Sequence, residues 1–303
     1  MHNETRLAFV TCRRLPGLSP GDRLAADLLE QEGMAVEAVV WDDERIRWND
    51  FDAIVVRSCW DYFEKVEKFV RWIGQVEGSG VPLWNPPHIL RWNMDKRYLQ
   101  DLERRGVRVA PTAWLNHGEP ADLGRLLDHR GWDDVVIKPA VSANGFRTWR
   151  TTRQLAPERQ AELDSMARQG PVMVQPLLSP VIALGEWSLI FLVGRYSHAV
   201  LKRAREDDFR VQEDFGGQTM PAIAPRTLVR AARRVLAHAP GSWLYARVDG
   251  CVVNNRFVLL ELEMLEPSLY LEHHPDAPRR FAAAVRRSLR RLRSRERLPP
   301  KIW

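Results

Sequence analysis

A chain of 303 residues, 45% hydrophobic and 28% charged, is long enough for two or three packed units with proper cores. Its three cysteines, Cys12, Cys59 and Cys251, lie far apart with no CxxC or Cys/His cluster, which argues against zinc and a disulfide framework and fits a reducing cytoplasm. The net charge of +6 would suit nucleic acid, but much of the excess falls between Arg279 and Arg297, where Phe281, Val285, Leu289 and Leu292 recur at helical spacing, so a terminal helix with its arginines in water is expected and nucleic acid is not the expected partner.

The opening MHNETRLAFVTC has too short an apolar run for a signal peptide, and no segment reads as a membrane span. Residues 1–92 are expected to form a small α/β domain. Residues 7–11, 36–41 and 53–56 read as strands, and Leu24, Leu28 and Leu29 mark a helix ending near Gly33. Strands alternating with helices imply a mostly parallel sheet. No GxGxxG follows the first strand, so a dinucleotide site is not indicated. RSCWDY, residues 57–62, follows the third strand, and ligands bind beyond the carboxyl ends of such strands. Arg57 is therefore a candidate clamp for a substrate carboxylate, with Ser58 and Asp61 orienting polar groups of the same ligand. Capping of the following helix, residues 64–76, by Ser58 or Asp61 is the alternative, but it leaves Arg57 unexplained.

Residues 84–87, WNPP, read as a connector. Asp95 is placed to begin a helix carrying Tyr98, Leu99 and Leu102 and ending at Gly106, with Lys96 in its first turn. A lysine at the positive end of a helix suits an anionic ligand, although a solvated lysine is common there. Residues 135–139 form a β-branched strand ending in Lys138-Pro139, followed by SANGFRTWR, a loop of small residues whose amides can approach phosphates. The loop lacks the Walker A pattern, and by itself it also reads as an ordinary turn. Residues 172–178 form another apolar strand, stopped by Pro176. Residues 186–193 and 196–203 read as a hairpin carrying Lys202 and Arg203 at its far end, and the charged, glycine-bearing loop after it reads as a lid or as a plain surface loop. Residues 227–237 read as a helix.

YARVDGCVVNNRFVLLELEMLEPSL, residues 245–269, reads as a hairpin across Asn254-Asn255. Strict alternation puts Val258, Leu260, Leu262 and Met264 on a core face and Phe257, Leu259, Glu261 and Glu263 on the other. A two-residue turn would push Asp249 onto the core face. A three-residue loop or an equivalent bulge sets Asp249 opposite Glu261 and Arg247 opposite Glu263, and is favoured. Two carboxylates on so apolar a strand need partners. The acids fit a magnesium site or a salt-bridged patch equally well on this evidence. No acid is spaced to complete a triad with Ser188 and His198, and His273-His274 lacks zinc-site spacing.

Lys96 after an aspartate, Lys138-Pro139, a small-residue loop, Gln175-Pro176, Glu186, ARVD and ELE follow one another in an order that resembles the ATP-grasp superfamily of carboxylate-amine ligases. The resemblance covers roughly residues 93–270. It implies an α/β (α+β) ATP-grasp fold over residues 93–303, with a lid subdomain near 110–175, preceded by the small mostly parallel domain. It further implies that Lys96 and Lys138 contact nucleotide phosphates and that Ser142, Asn144 and Gly145 belong to the phosphate loop. Gln175, Leu177 and Leu178 would line the adenine pocket, and Glu186 would hold the ribose. Asp249, Glu261 and Glu263 would bind two magnesium ions, while Arg247, Lys202 and Arg203 would steady the acyl phosphate. Relatives often carry asparagine where Glu263 stands, and the loop has fewer glycines than usual. RSCWDY, WNMDK and DFGG together most resemble the cycloserine-forming branch. The implied activity is ATP-dependent amide formation, intramolecular or not, on a small amino-acid-like carboxylate. A ligase for a peptide or protein tail, and a non-catalytic nucleotide- or nucleic-acid-binding protein, are the alternatives. The oligomeric state is left open, a homodimer included.

Overall fold

Runs of β-branched and small apolar residues build the first sheet: β1 (Thr5–Thr11), β2 (Met34–Val40), β3 (Ala53–Ser58) and the short β4 (Leu83–Trp84). They pair in parallel in the order β2-β1-β3-β4. Helix α1 (Pro20–Gln31) starts at Ser19, whose hydroxyl accepts the Asp22 amide, and buries Ala25, Ala26 and Leu29 while Leu24 stays exposed. Helix α2 (Val66–Ser79) stops at Gly80, in the left-handed conformation that needs no Cβ. The structure, a computed structural model, describes residues 4–296 except Asp207.

The connector leads into α3 (Pro87–Met94) and α4 (Tyr98–Arg104). Lys96 lies in the turn between them rather than in the first turn of a helix. A second sheet follows, made of β5 (Ala113–Leu115), β6 (Asp134–Pro139), β7 (Trp149–Thr152) and β8 (Val172–Pro176), antiparallel in the order β5-β8-β6-β7. Helices α5 (Leu123–Arg130) and α6 (Ala156–Ala167) give it a core of its own, including Leu127, Ile137, Leu163 and Val174. This unit occupies the stretch where a lid subdomain was expected.

After the short α7 (Ser179–Leu184) comes a five-stranded antiparallel sheet of β9 (Glu186–Leu192), β10 (Arg195–Arg203), β11 (Gln218–Ala222), β12 (Tyr245–Val253) and β13 (Arg256–Glu263), ordered β11-β10-β9-β12-β13. Helix α8 (Arg226–Leu236) lays Leu228, Ala232 and Val235 against it. Helix α9 (Ala277–Glu296) then returns to the first sheet. Its Phe281, Val285 and Leu289 share one core with Phe9, Leu29 and, from β9, Ile190. A boundary at residue 92 therefore does not separate two independent cores. Among the described residues no helix is long and apolar enough to cross a membrane.

The β12–β13 hairpin turns on only two residues, Asn254 and Asn255, both at positive φ. A bulge restores the register. Gly250 pairs with Leu259 and Asp249 with Glu261, leaving Leu260 as the extra residue. Gly250 fits there because a Cβ would lie 2.4 Å from the Val258 carbonyl oxygen. Arg247 faces Glu263 and Asp249 faces Glu261, as the favoured reading required. The bulge also corrects the simple alternation: Leu259 joins the core and Leu260 lines the cavity described next.

Candidate active site

The three layers meet around a cavity of about 1470 Å³, part of it open to solvent. Its apolar end is formed by Ala110, Val136, Leu177, Leu178, Val181 and Leu260. Gln175 sits at the same end, its amide donating to Thr112 Oγ1 at 2.9 Å. β6 and β8 run antiparallel, and their register sets Val136 directly opposite Gln175 here.

Much of the remaining lining is charged. Asp249, Glu261 and Glu263 hold carboxylate oxygens within 4.8 Å of one another. Arg247 pairs with Asp249 at 2.9 Å and with Glu263 at 2.6 Å. Lys96 pairs with Glu261 at 3.1 Å and donates to the Ser142 carbonyl, tying the turn before α4 to the loop after β6. Lys202 pairs with Glu186 at 2.5 Å and lies 3.6 Å from Asp249. Lys138 lines the cavity with no carboxylate at ion-pair distance among the described residues. Burial pushes its pKa down, although Glu261, Glu186 and Glu263 oppose that shift.

Carboxylates this close resist ionising together. Burial raises the Glu263 pKa to about 7 against the pull of Arg247, with Glu261 and Asp249 adding to the rise. Glu261 goes the other way. Burial would raise it, but Lys96 and Lys138 bring it down. Arg247 and Lys202 likewise overcome burial at Asp249. For Glu186 burial prevails over Lys202 and the pKa rises. The donors at the triple-acid corner are all oxygens, which suits a hard divalent cation such as magnesium.

Two loops roof the cavity. Ser142 to Gly145 carries positive φ at Asn144 and Gly145, and the Gly145 Cα comes so close to Phe215 that a Cβ would stand 2.8 Å from the ring. Phe215 belongs to the charged segment after β10, where Arg210 stacks its guanidinium 3.6 Å over that ring. Phe146 meets Phe63 of the first unit at 4.8 Å between centroids.

Lys96, Lys138, Ser142, Asn144, Gly145, Gln175, Leu177, Leu178, Glu186, Lys202, Arg247, Asp249, Glu261 and Glu263 all line this one cavity. Four sequence candidates do not. Arg203 is exposed, because alternation along β10 that turns Lys202 inward turns its neighbour outward. Arg57 is 1% exposed, pairs with Asp22 at 2.8 Å and lies over the Tyr245 and Phe281 rings. Ser58 donates to the same Asp22 carboxylate at 3.2 Å. Asp61 accepts from the Trp41 indole at 2.7 Å. The expected substrate role of Arg57, Ser58 and Asp61 is thus corrected: their polar groups are spent inside the fold. RSCWDY nonetheless reaches the cavity, through Trp60 and Tyr62. Asn93, Glu266, Ser268 and Tyr270 also line it and were missed, Glu266 and its neighbours because strand periodicity ends at Glu263.

Three antiparallel-and-parallel layers around a cleft, with lysines, a small-residue loop and a carboxylate cluster inside it, define the ATP-grasp class. D-alanine–D-alanine ligase from Bacillus anthracis has this fold, with a TM-score of 0.70 at 14% identity over 96% of this chain and 99% of that one. The profile described as "D-cycloserine synthetase DcsG, N-terminal domain" matches residues 7–85. The cycloserine biosynthesis protein DcsG of Streptomyces lavendulae is 30% identical over 274 residues, 85% of this chain and 90% of that one. The crystal structure of D-cycloserine synthetase DcsG superposes with a TM-score of 0.84 at 28% identity, covering 94% of this chain and 99% of that one. The chain belongs to the DcsG family of ATP-grasp ligases. It is an ATP-dependent, ADP-forming carboxylate-amine ligase.

Proposed function

We propose that the enzyme activates a small amino-acid-like carboxylate as an acyl phosphate and closes an amide within the same molecule. ATP lies with its base at the apolar end, near Gln175, Leu177 and Leu178, its ribose at Glu186 and its phosphates toward Lys96, Lys138 and the 142–145 loop. Asp249, Glu261 and Glu263 hold magnesium, which when bound offsets phosphate charge and stabilises the transferring phosphoryl group.

The substrate carboxylate oxygen attacks the γ-phosphorus and ADP leaves. The amine nitrogen then attacks the acyl carbon, phosphate leaves, and the nitrogen gives up its proton to water or phosphate. Arg247 and Lys202 face the site where charge builds on phosphoryl and carbonyl oxygens. Both are kept cationic, Arg247 because its carboxylate partners outweigh burial and Lys202 for the same reason. Positioning and fixed charge suffice for such chemistry, and no nucleophile triad is required.

The relative's name supports the ring-forming reading. The cycloserine ring joins a carboxyl carbon to a nitrogen borne on the serine side-chain oxygen, so closing it is intramolecular amide formation. A cytoplasmic, ATP-rich location suits this reaction. The observation that carries the proposal is the convergence of four cations and the triple-acid corner on one cavity. Glu261→Gln tests it, with ADP release and thermal melting measured together: turnover should fall at least about 1000-fold, worth roughly 4 kcal/mol, with melting unchanged. Retained turnover sinks the metal-site assignment. ADP release across amino acids, dipeptides and O-substituted serines tests the substrate class, and a preference for dipeptides overturns it.

A further inference from the structure

Glu266 has no place in the nucleotide or metal machinery, yet it is 7% exposed and lines the cavity. Among the described residues its carboxylate makes no hydrogen bond and no ion pair. Every other acid lining the cavity has one: Glu186 has Lys202, Asp249 and Glu263 share Arg247, and Glu261 has Lys96. A buried carboxylate without a counter-charge is costly, so a cation that arrives with a ligand is the natural partner.

The backbone around Glu266 is held in place from several sides. The Trp60 indole donates to the Glu266 carbonyl at 3.0 Å. Arg57 donates to the Pro267 carbonyl at 3.1 Å, and Arg247 to the Ser268 carbonyl at 3.0 Å. The Tyr245 hydroxyl donates to the Leu265 carbonyl at 3.0 Å. The side chain lines the same cavity as Trp60, Tyr62, Ser268 and Tyr270, and its charge acts on the Tyr62 phenol. Aromatic walls around one carboxylate are a good environment for an ammonium group, since ring faces add their own attraction for a cation.

ATP and magnesium do not meet this need. ATP is anionic, and the hard-cation corner lies on β12 and β13. We infer that Glu266 is a specificity-determining residue that pairs with an ammonium group of the acyl substrate other than the nitrogen that forms the amide. The substrate class is then a zwitterion: a carboxylate directed to Arg247 and Lys202, a reacting nitrogen, and a second, spectator amine at Glu266. The inference rests on the ligase reading above.

The experiment compares O-amino-D-serine with 3-(aminooxy)propanoate, which lacks the α-amine, on the wild type and on Glu266→Gln and Glu266→Asp. Magnesium-ATP binding is followed by calorimetry, and ADP release gives KM and kcat. Expected are a roughly 10- to 100-fold higher KM for O-amino-D-serine in Glu266→Gln, with nucleotide affinity unchanged, and a partial return in Glu266→Asp. The wild type should show a similar penalty for the deamino compound, and Glu266→Gln should show almost none between the two compounds. Equal handling of both by the wild type overturns the inference, as does a fall in kcat alone, or a failure of both compounds to bind an enzyme that still binds magnesium-ATP. Loss of nucleotide binding by the wild type would overturn the underlying ligase site instead. A melting temperature at least equal to wild type in Glu266→Gln separates recognition from a structural role.

Discussion

Two buried charge clusters sit near each other and do opposite things. At the end of β3, Arg57 and Asp22 pair at 2.8 Å, Ser58 adds a hydrogen bond, and aromatic rings cover the guanidinium. That cluster closes on itself. Across the cavity, Lys96, Lys138, Lys202 and Arg247 face five carboxylates, and two members, Lys138 and Glu266, are left without a partner among the described residues. Both places are rich in charge. What separates a structural cluster from a binding cluster is whether the chain supplies all the counter-charges.

The largest test of the contrast is Arg57→Ala. It leaves Asp22 buried and unpaired and frees the Pro267 carbonyl, so stability should fall by about 3–5 kcal/mol in urea denaturation. A loss below about 1 kcal/mol with a raised KM for the carboxylate would return Arg57 to the substrate.

Next in size is a pH effect far from the phosphates. His198 is buried, with Nε2 donating to the Leu269 carbonyl at 2.9 Å, and burial pulls its pKa down to about 4. The unfolded chain takes up its proton near pH 6.5 and the folded protein only near 4. Stability is therefore fully present above pH 6.5 and drains away as pH falls toward 4. The drop approaches about 3 kcal/mol at 1.36 kcal/mol per pKa unit. His198→Gln should flatten the unfolding free energy across that window, and an unchanged slope would place the acid sensitivity elsewhere.

Lys138→Ala should weaken binding of a non-hydrolysable ATP analogue by about 1.5–3 kcal/mol in calorimetry, because an unpaired lysine is free for phosphate. It should barely change melting, in contrast to Arg57→Ala. The smallest effect is expected for Trp60→Phe, which removes one donor to the Glu266 carbonyl: about 1 kcal/mol in KM for the carboxylate substrate, with nucleotide affinity unchanged.

Strand alternation and the need to keep Asp249 out of the core were enough to place Arg247, Asp249, Glu261 and Glu263 on one face. Lys138 and the 142–145 loop were readable from a β-branched run that ends abruptly. The bulge at Leu260 was anticipated only as a possibility of register, and its exchange of Leu259 for Leu260 was invisible to a period of two. Arg57 was misread because Asp22, 35 residues away, gives no local sign of being its partner. Glu266 was missed for the opposite reason: it lies in irregular chain, where no period marks which way a side chain points.

That irregular chain has a consequence for how the family can vary. From Met264 to Tyr270 every carbonyl oxygen accepts a side-chain donor: Asn85, Tyr245, Trp60, Arg57 and Arg247 serve the first five in turn, and His198 serves Leu269 and Tyr270. A segment pinned at each peptide cannot gain or lose a residue without breaking the whole series. Inheritance can therefore tinker with this wall only by exchanging side chains at fixed length. New substrate preferences in descendants should appear as point changes at Glu266, Ser268 or Tyr270, and insertions should collect in the loops that roof the cavity.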